Sequence, residues 1–326
     1  VPLPNTTRAV VVHAPYDVRV EEIPVPELMP DEVRVRVKYS GISVGTERWI
    51  VTGQRPDTPF PMITGYQNCG VVEAVGSMVM AFQVGDRVSV GKTRVLPPIN
   101  PGWSGHVGTA VANAANVIPI PEYVSWEEAA LERLAAVGLR GARMANIKAN
   151  DNVVIIGQGM IGNLIGQIAG SWDAFVITSD KLPSRVELSR QYAADIAVDA
   201  EHGDLAEIVR QEFPNGADLV IEATGYAENI PLCLELVREG GRILLQGWYP
   251  GNVCFDFHKT HLKRVTVFFP CYLEGEEIVL NMLEREKLKI KPLITHILPA
   301  SQAPEAFRLV VEEPGKIMGM LLDWEV

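Results

Sequence analysis

Apolar and polar positions along the chain follow two different periods. Up to about Pro121 the texture is one of short strands broken by Gly and Pro. Val33, Val35, Val37 and Tyr39 alternate with Arg34, Arg36 and Lys38, the period of two that marks a half-buried strand. Shorter apolar runs over 70–74 and 87–90 sit beside Gly-Asp or Gly-Ser turn pairs, so this stretch predicts a mainly-β unit. A helical period begins at Ser125, where Ser125 and Glu128 form the S-x-x-E of a capping box ahead of an apolar stretch reaching about Ile147. Strands are then predicted over 153–156, 175–179, 196–198, 218–222, 242–246 and 265–269. Helices fall between them: from Met160, from a cap at Ser184 and Glu187, over 205–213 and over 229–237. Six apolar strands with helical or long connections predict an α/β fold, a doubly wound parallel sheet. Past Cys271 the alternation ends, with helices near 276–285 and 303–311 and a last strand near 316–322.

Length adds that 326 residues exceed one ordinary core and predict about two domains. The textures divide them as 1–133 with 271–326, and 134–270. With 29 Lys+Arg against 40 Asp+Glu the net charge is −11, a field that disfavours a nucleic-acid partner. No apolar stretch approaches the roughly 18 residues of a membrane span, and the start, with Pro2, Pro4 and Arg8, lacks the apolar core of a secretory signal. A cytoplasmic location without membrane attachment is the expectation. The four cysteines, Cys69, Cys233, Cys254 and Cys271, show no C-x₂-C spacing and read as free thiols.

The strongest chemical signal is Gly157-Gln158-Gly159-Met160-Ile161-Gly162, entered from the apolar strand Val153-Val154-Ile155-Ile156 and followed by a helix. In this setting G-x-G-x-x-G is a dinucleotide-binding loop. Gly157 allows the tight turn, Gly159 lets the backbone approach a pyrophosphate, and Gly162 permits close helix–strand packing. The helix N-terminus supplies amide donors to the phosphates. Asp180 follows at roughly the expected spacing of 20 residues, ends the second strand, and suits the ribose hydroxyls while repelling a 2′-phosphate. NAD is therefore the expected cofactor, with NADP as the alternative because Lys181 and Arg185 stand nearby.

The order of further motifs carries a resemblance. Gly41-Ile42-Ser43-Val44-Gly45-Thr46-Glu47, Gly65-Tyr66-Gln67 and Val84-Gly85-Asp86-Arg87-Val88 precede the glycine loop. Ala223-Thr224-Gly225, Gly240-Gly241-Arg242 and Gly315-Lys316-Ile317 follow it. Over nearly its full length the chain resembles the medium-chain dehydrogenase/reductase superfamily. That resemblance implies a Rossmann domain beside a GroES-like catalytic domain, a small-molecule substrate, and a homodimer or homotetramer. It also implies cofactor contacts from Ala223, Thr224, Gly247, Trp248 and Lys316.

The departures from the family are informative. Zinc-dependent members carry a cysteine in G-I-C-G-T-D and a histidine and glutamate in G-H-E; here Ser43 or Val44, Tyr66 and Gln67 stand at those places. Hydroxyl, phenol and amide are poor Zn²⁺ ligands, and the family's four-cysteine lobe has no counterpart between Cys69 and Cys233. The expectation is a zinc-free member. The G-I-S-x-G-T-E-R string with Gly65-Tyr66 is similar to the branch that includes bacteriochlorophyllide dehydrogenases.

Without zinc, side chains must polarise the carbonyl and carry the proton. The resemblance points to Tyr66 as acid/base with Arg48 as a helping cation, to Thr46 and Ser43 as relay hydroxyls, and to Glu47 as the group that orients Tyr66 or pairs with Arg48. His106 is a second acid/base candidate. Trp103, Trp248 and Glu132, the last in an E-P-L-like setting, are candidates for the substrate wall. The expected function is hydride transfer between NAD(P) and a secondary alcohol or ketone. A C=C reductase of the enoyl or quinone type and a dinucleotide-sensing protein are the alternatives.

Overall fold

The computed structural model describes residues 3–271 and 275–326. They form two compact units, Val1–Arg133 with Ile294–Val326, and Leu134–Leu293. The first unit begins with β1 (Thr6–Ala14), β2 (Asp17–Pro24), β3 (Glu32–Ile42), α1 (Val44–Val51), β4 (Met62–Ile63) and β5 (Asn68–Val75). It continues through β6 (Arg87–Val90), β7 (Thr109–Asn113), β8 (Val117–Pro119), α2 (Trp126–Ala129) and the start of α3 (Glu132–Met144). The second unit adds β9 (Asn152–Ile156), α4 (Met160–Ser171), β10 (Phe175–Asp180), α5 (Pro183–Tyr192), β11 (Ile196–Asp199), α6 (Leu205–Glu212) and β12 (Ala217–Glu222). After them come α7 (Ile230–Leu236), β13 (Val237–Leu245), α8 (Phe257–Lys263), β14 (Thr266–Phe268) and α9 (Glu276–Glu284). The chain then returns to the first unit with β15 (Ile294–Pro299), α10 (Ala303–Glu312) and β16 (Gly319–Asp323).

In the first unit a sheet runs β15-β16-β3-β5-β6-β8, with β7 also on β3, beside a small sheet β2-β1-β4. Val33, Val35 and Val37 of β3 are buried and Arg36 is exposed, as a period of two requires, but Arg34 is buried as well, its guanidinium donating to the Pro4 carbonyl at 2.7 Å and pairing with Glu73. Their core is closed by Phe307 of α10 and by Met320 and Leu322 of β16. In the second unit the order is β11-β10-β9-β12-β13-β14, all parallel. This is the doubly wound arrangement, with its order reversing between β9 and β12, and ligands bind such sheets in the crevice at that point.

Several local expectations differ from the structure. The capping box of Ser125 and Glu128 is present, but the helix it opens stops at Ala129 and restarts at Glu132. The break turns the Ala130 carbonyl and the Leu131 side chain onto Gly41, where a Cβ would lie 2.4 and 2.7 Å from them. Helix α5 is entered from Leu182 with Pro183 in its first turn, not from Ser184; proline's fixed φ and missing N–H suit that position. The last strand starts at Gly319, because 314–316 form a 3₁₀ turn. Residues 275–293 join the second unit, where Gln167 of α4 holds the Lys289 N–H at 2.7 Å and donates to the Lys289 carbonyl at 3.0 Å. Helix α1 runs against local propensity, since Gly45 and β-branched residues disfavour it; burial of Ile50 and Val51 overrides that propensity. Among the described residues no helix is long and apolar enough to cross a membrane.

Candidate active site

Segments of the first unit converge on one buried polar cluster. Ser43 is the N-cap of α1 but makes no side-chain cap; its Oγ instead accepts the Tyr66 hydroxyl at 2.9 Å. Glu47 takes over at the helix start, its Oε2 accepting the Ser43 N–H at 2.7 Å. The other oxygen, Oε1, accepts the Thr64 hydroxyl at 2.7 Å and meets His106 Nε2 at 2.7 Å. His106 Nδ1 lies 2.8 Å from Ser40 Oγ, which accepts the Trp324 Nε1–H at 2.9 Å. An indole only donates, so the Ser40 proton is left for Nδ1. A neutral imidazole here therefore carries its proton on Nε2, facing Glu47. Gly65 makes room for the ring: its φ is +80°, and a Cβ would sit 2.7 Å from His106 Nε2.

Tyr66 is 7 % exposed and meets Trp103 edge-on, ring centroids 5.7 Å apart. Burial pushes its phenol above the usual tyrosine value, and the Glu47 charge adds to this. The hydrogen bonds with Ser43 and Thr46 pull the other way, as does the Arg133 charge, but burial wins and the phenol stays protonated. Arg48 is not the helping cation; it lies over the Trp49 ring at 5.4 Å. Glu47 neither pairs with Arg48 nor bonds Tyr66, because its oxygens face Ser43, Thr64 and His106. It positions Tyr66 only through Ser43.

His106 has no exposed surface and both ring nitrogens have internal partners, so it stands as a positioning residue rather than an acid/base open to a substrate. Glu132 is likewise wholly buried, with Ser89 Oγ donating to it at 2.6 Å and the Arg133 guanidinium paired with it by charge, Nε 3.4 Å away. It ties the start of α3 to β6 instead of walling a pocket. Trp103 is half-buried between Tyr66 and the Arg55 guanidinium, which lies 5.0 Å from its ring. Thr64, Ser40 and Trp324 complete the cluster without any sequence signal, Ser40 and Trp324 being 284 positions apart.

The places that carry zinc ligands in the zinc-dependent relatives hold hydroxyl, phenol and amide. Ser43 and Tyr66 are bonded to each other, and the Gln67 Nε2 faces the Gly41 carbonyl at 3.4 Å. With a phenol kept protonated, this donor set does not fit Zn²⁺. Among the described residues no three His, Cys, Asp or Glu side chains stand together as a metal site.

In the second unit the glycine loop joins β9 to α4. Gly157 has φ +95°, and a Cβ there would meet Thr224 Cγ2 at 2.6 Å; one on Gly162 would meet the Gly157 carbonyl at 2.0 Å. Gly159 is the N-cap of α4 and, having no side chain, does not cap the amides of the first turn. Gln158, Met160 and Ile161 thus lie at a helix start built for a phosphate. Asp180 supports the loop as well: its Oδ2 accepts the Gln158 N–H at 2.7 Å, its Oδ1 the Leu182 N–H at 2.9 Å. Arg185 Nη1 lies 3.9 Å from Asp180 Oδ2 and 3.9 Å from a Cβ built on Gly159. This cradle fits a nicotinamide dinucleotide. Ala223, Thr224, Gly247 and Trp248 follow the neighbouring strands β12 and β13 at the same end of the sheet. Lys316 belongs to the first unit, and its ammonium pairs with Glu313.

Comparison with known proteins agrees with this fold. Residues 29–122 match the alcohol dehydrogenase GroES-like domain, and 161–284 match the zinc-binding dehydrogenase domain. The chain is 29 % identical to the 2-desacetyl-2-hydroxyethyl bacteriochlorophyllide A dehydrogenase of Cereibacter sphaeroides, covering 98 % of each chain. It is 26 % identical to the sorbitol dehydrogenase of Rattus norvegicus, covering 94 % of this chain and 93 % of that one. An Escherichia coli oxidoreductase of unknown specificity superposes with a TM-score of 0.89 at 23 % identity, over 98 % of this chain and 99 % of that one. The chain belongs to the medium-chain dehydrogenase/reductase superfamily and is an alcohol-dehydrogenase-like oxidoreductase.

Proposed function

We propose that the protein interconverts a secondary alcohol and its ketone with NAD(P), without zinc, using Tyr66 as the proton donor. The observation that carries this reading is the buried Tyr66–Ser43 contact, 2.9 Å, standing where the zinc-dependent relatives hold metal ligands. When bound, the nicotinamide supplies or accepts a hydride. The remaining task is the proton. A phenol held protonated by burial can donate to a developing alkoxide oxygen. Ser43 Oγ, which accepts the phenol's proton at rest, can return a proton to the phenol oxygen, and Thr46 is a second hydroxyl on that route. Glu47, Thr64 and His106 keep Ser43 in place.

Gly157, Gly159 and Gly162 would hold the pyrophosphate, and Asp180 the adenosine ribose, with NAD preferred over NADP. The relative from Cereibacter sphaeroides makes a hydroxyethyl-bearing tetrapyrrole one candidate substrate class. A homodimer or homotetramer is the assembly we favour, supported by the outer edge of β14, which has no strand neighbour among the described residues, and by exposed Phe257, Leu262 and Phe269. The test is metal analysis of the purified protein with NADH oxidation against a panel of ketones and enones. Ketone turnover without stoichiometric metal is the expected result. One zinc per chain, lost together with activity on chelation, would overturn the proposal; turnover of enones alone would replace it with C=C reduction.

A further inference from the structure

The last residue of β12, Glu222, is wholly buried, yet its carboxylate faces donors from two loops. On one side Oε1 accepts the Thr224 N–H at 3.0 Å, the Thr224 hydroxyl, and Asn229 Nδ2 at 3.2 Å. On the other side Oε2 accepts the Gly225 N–H at 3.0 Å and the Tyr249 hydroxyl. Its backbone carbonyl accepts the N–H groups of Gln246 and Gly247 at 2.8 and 3.1 Å. The segment after β12 and the segment after β13 are thus tied to one residue. They are also packed too closely for side chains: a Cβ on Gly247 would lie 2.4 Å from the Gly225 nitrogen, and one on Gly225 2.6 Å from the Trp248 carbonyl.

This degree of bonding exceeds what a strand end needs. A carboxylate is an acceptor at every lone pair, so it can hold donors from both segments at once, which no neutral side chain of that size does. The segments lie at the carboxyl ends of β12 and β13, next to the glycine loop, as Thr224 against Gly157 shows. That is the end of a doubly wound sheet where ligands bind.

We infer that Glu222 is a positioning residue for the nicotinamide half of the cofactor, clamping 223–225 and 246–248 into one receiving surface. The inference rests on the dinucleotide reading above. The adenosine half has separate supports, the Gln158 N–H to Asp180 bond and the Gly157 N–H to Ser179 carbonyl bond at 2.8 Å. The two halves of the ligand should therefore respond differently when the clamp is altered.

The experiment titrates full-length wild type, Glu222→Gln and Tyr249→Phe with NADH and with ADP-ribose, which lacks the nicotinamide. A glutamine amide presents an NH₂ to one of the two donor sets, so Glu222→Gln opens one side of the clamp. NADH affinity should fall by roughly 10- to 100-fold, the loss expected of one or more charge-assisted hydrogen bonds, with ADP-ribose affinity within about two-fold of wild type. Tyr249→Phe removes one donor and keeps the carboxylate; NADH affinity should fall by about three- to ten-fold, again with ADP-ribose unchanged. Equal weakening of both ligands in both variants, or no change in either, would overturn the inference. A wild type that binds NADH no tighter than ADP-ribose would instead remove the reading that these loops receive nicotinamide.

Discussion

Replacing Tyr66 by Phe separates chemistry from structure more sharply than any other single change here. The substitution deletes one oxygen and keeps the ring, so the edge contact with Trp103 at 5.7 Å survives and no cavity opens. What is lost is the hydrogen bond to Ser43 Oγ, 2.9 Å and buried, for which about 1–1.5 kcal/mol of stability is expected. A protein of ordinary stability remains folded after such a loss. Loss of a general acid lowers turnover by roughly 10²–10⁴. At about 1.36 kcal/mol per decade that is roughly 3–5 kcal/mol of transition-state stabilisation, larger than the stability change. The cofactor loop makes its contacts in the other unit, so NADH affinity should stay near wild type. Steady-state ketone reduction, NADH titration and a thermal melt on the same preparation measure the three quantities. A variant with wild-type turnover would refute the assignment and leave Tyr66 as a ring that fills space. The pH profile gives an independent check. Because burial raises the phenol above its usual value near 10, it remains a donor throughout the neutral range, and the reduction rate should show no phenol ionisation below about pH 10.

Asp180→Ala should weaken NAD more than NADP, yet weaken both, because Asp180 also holds the Gln158 and Leu182 N–H groups; isothermal titration showing tighter NADP and unchanged NAD binding would contradict this. Gly162→Ala places a methyl 2.0 Å from the Gly157 carbonyl, so the turn must shift; a loss of roughly 1–3 kcal/mol in urea unfolding and of dinucleotide binding is expected, and full NADH binding would show that the cradle is not the site. Glu47→Gln leaves buried donors of Thr64, His106 and Ser43 short of an acceptor, which should cost about 1–3 kcal/mol by denaturant unfolding. Burial pushes the Cys69 and Cys233 thiols and the Tyr66 and Tyr249 phenols up. The folded chain therefore keeps protons that the unfolded chain releases, and this stability is fully present below the unfolded thiol value near 8.5 and lost as pH rises past it. Urea midpoints should be lower at pH 10 than at pH 7, and equal midpoints would show that these groups do not resist ionisation.

The sequence by itself determined the architecture of the second unit and the nature of its ligand loop. The reason is that both signals are local. Apolar runs of strand length alternate with helical periods, and Gly157, Gly159 and Gly162 stand within six consecutive residues, a positive φ demanding glycine at Gly157 and close packing demanding it at Gly162. The capping box of Ser125 and Glu128 was legible for the same reason, its partners being three residues apart. What the tertiary structure decided lies where distant segments meet. Where the helix after Ser125 breaks depends on Gly41, and where the second unit ends depends on Gln167 reaching Lys289. The roles of Glu47, His106 and Glu132 changed from chemistry to support because burial and pairing, not residue type, set what a titratable group does. Ser40, Thr64, Trp324 and Glu222 were invisible in the chain, since a hydroxyl, an indole or a carboxylate gains its meaning only from the donor or acceptor that folding brings within about 3 Å of it.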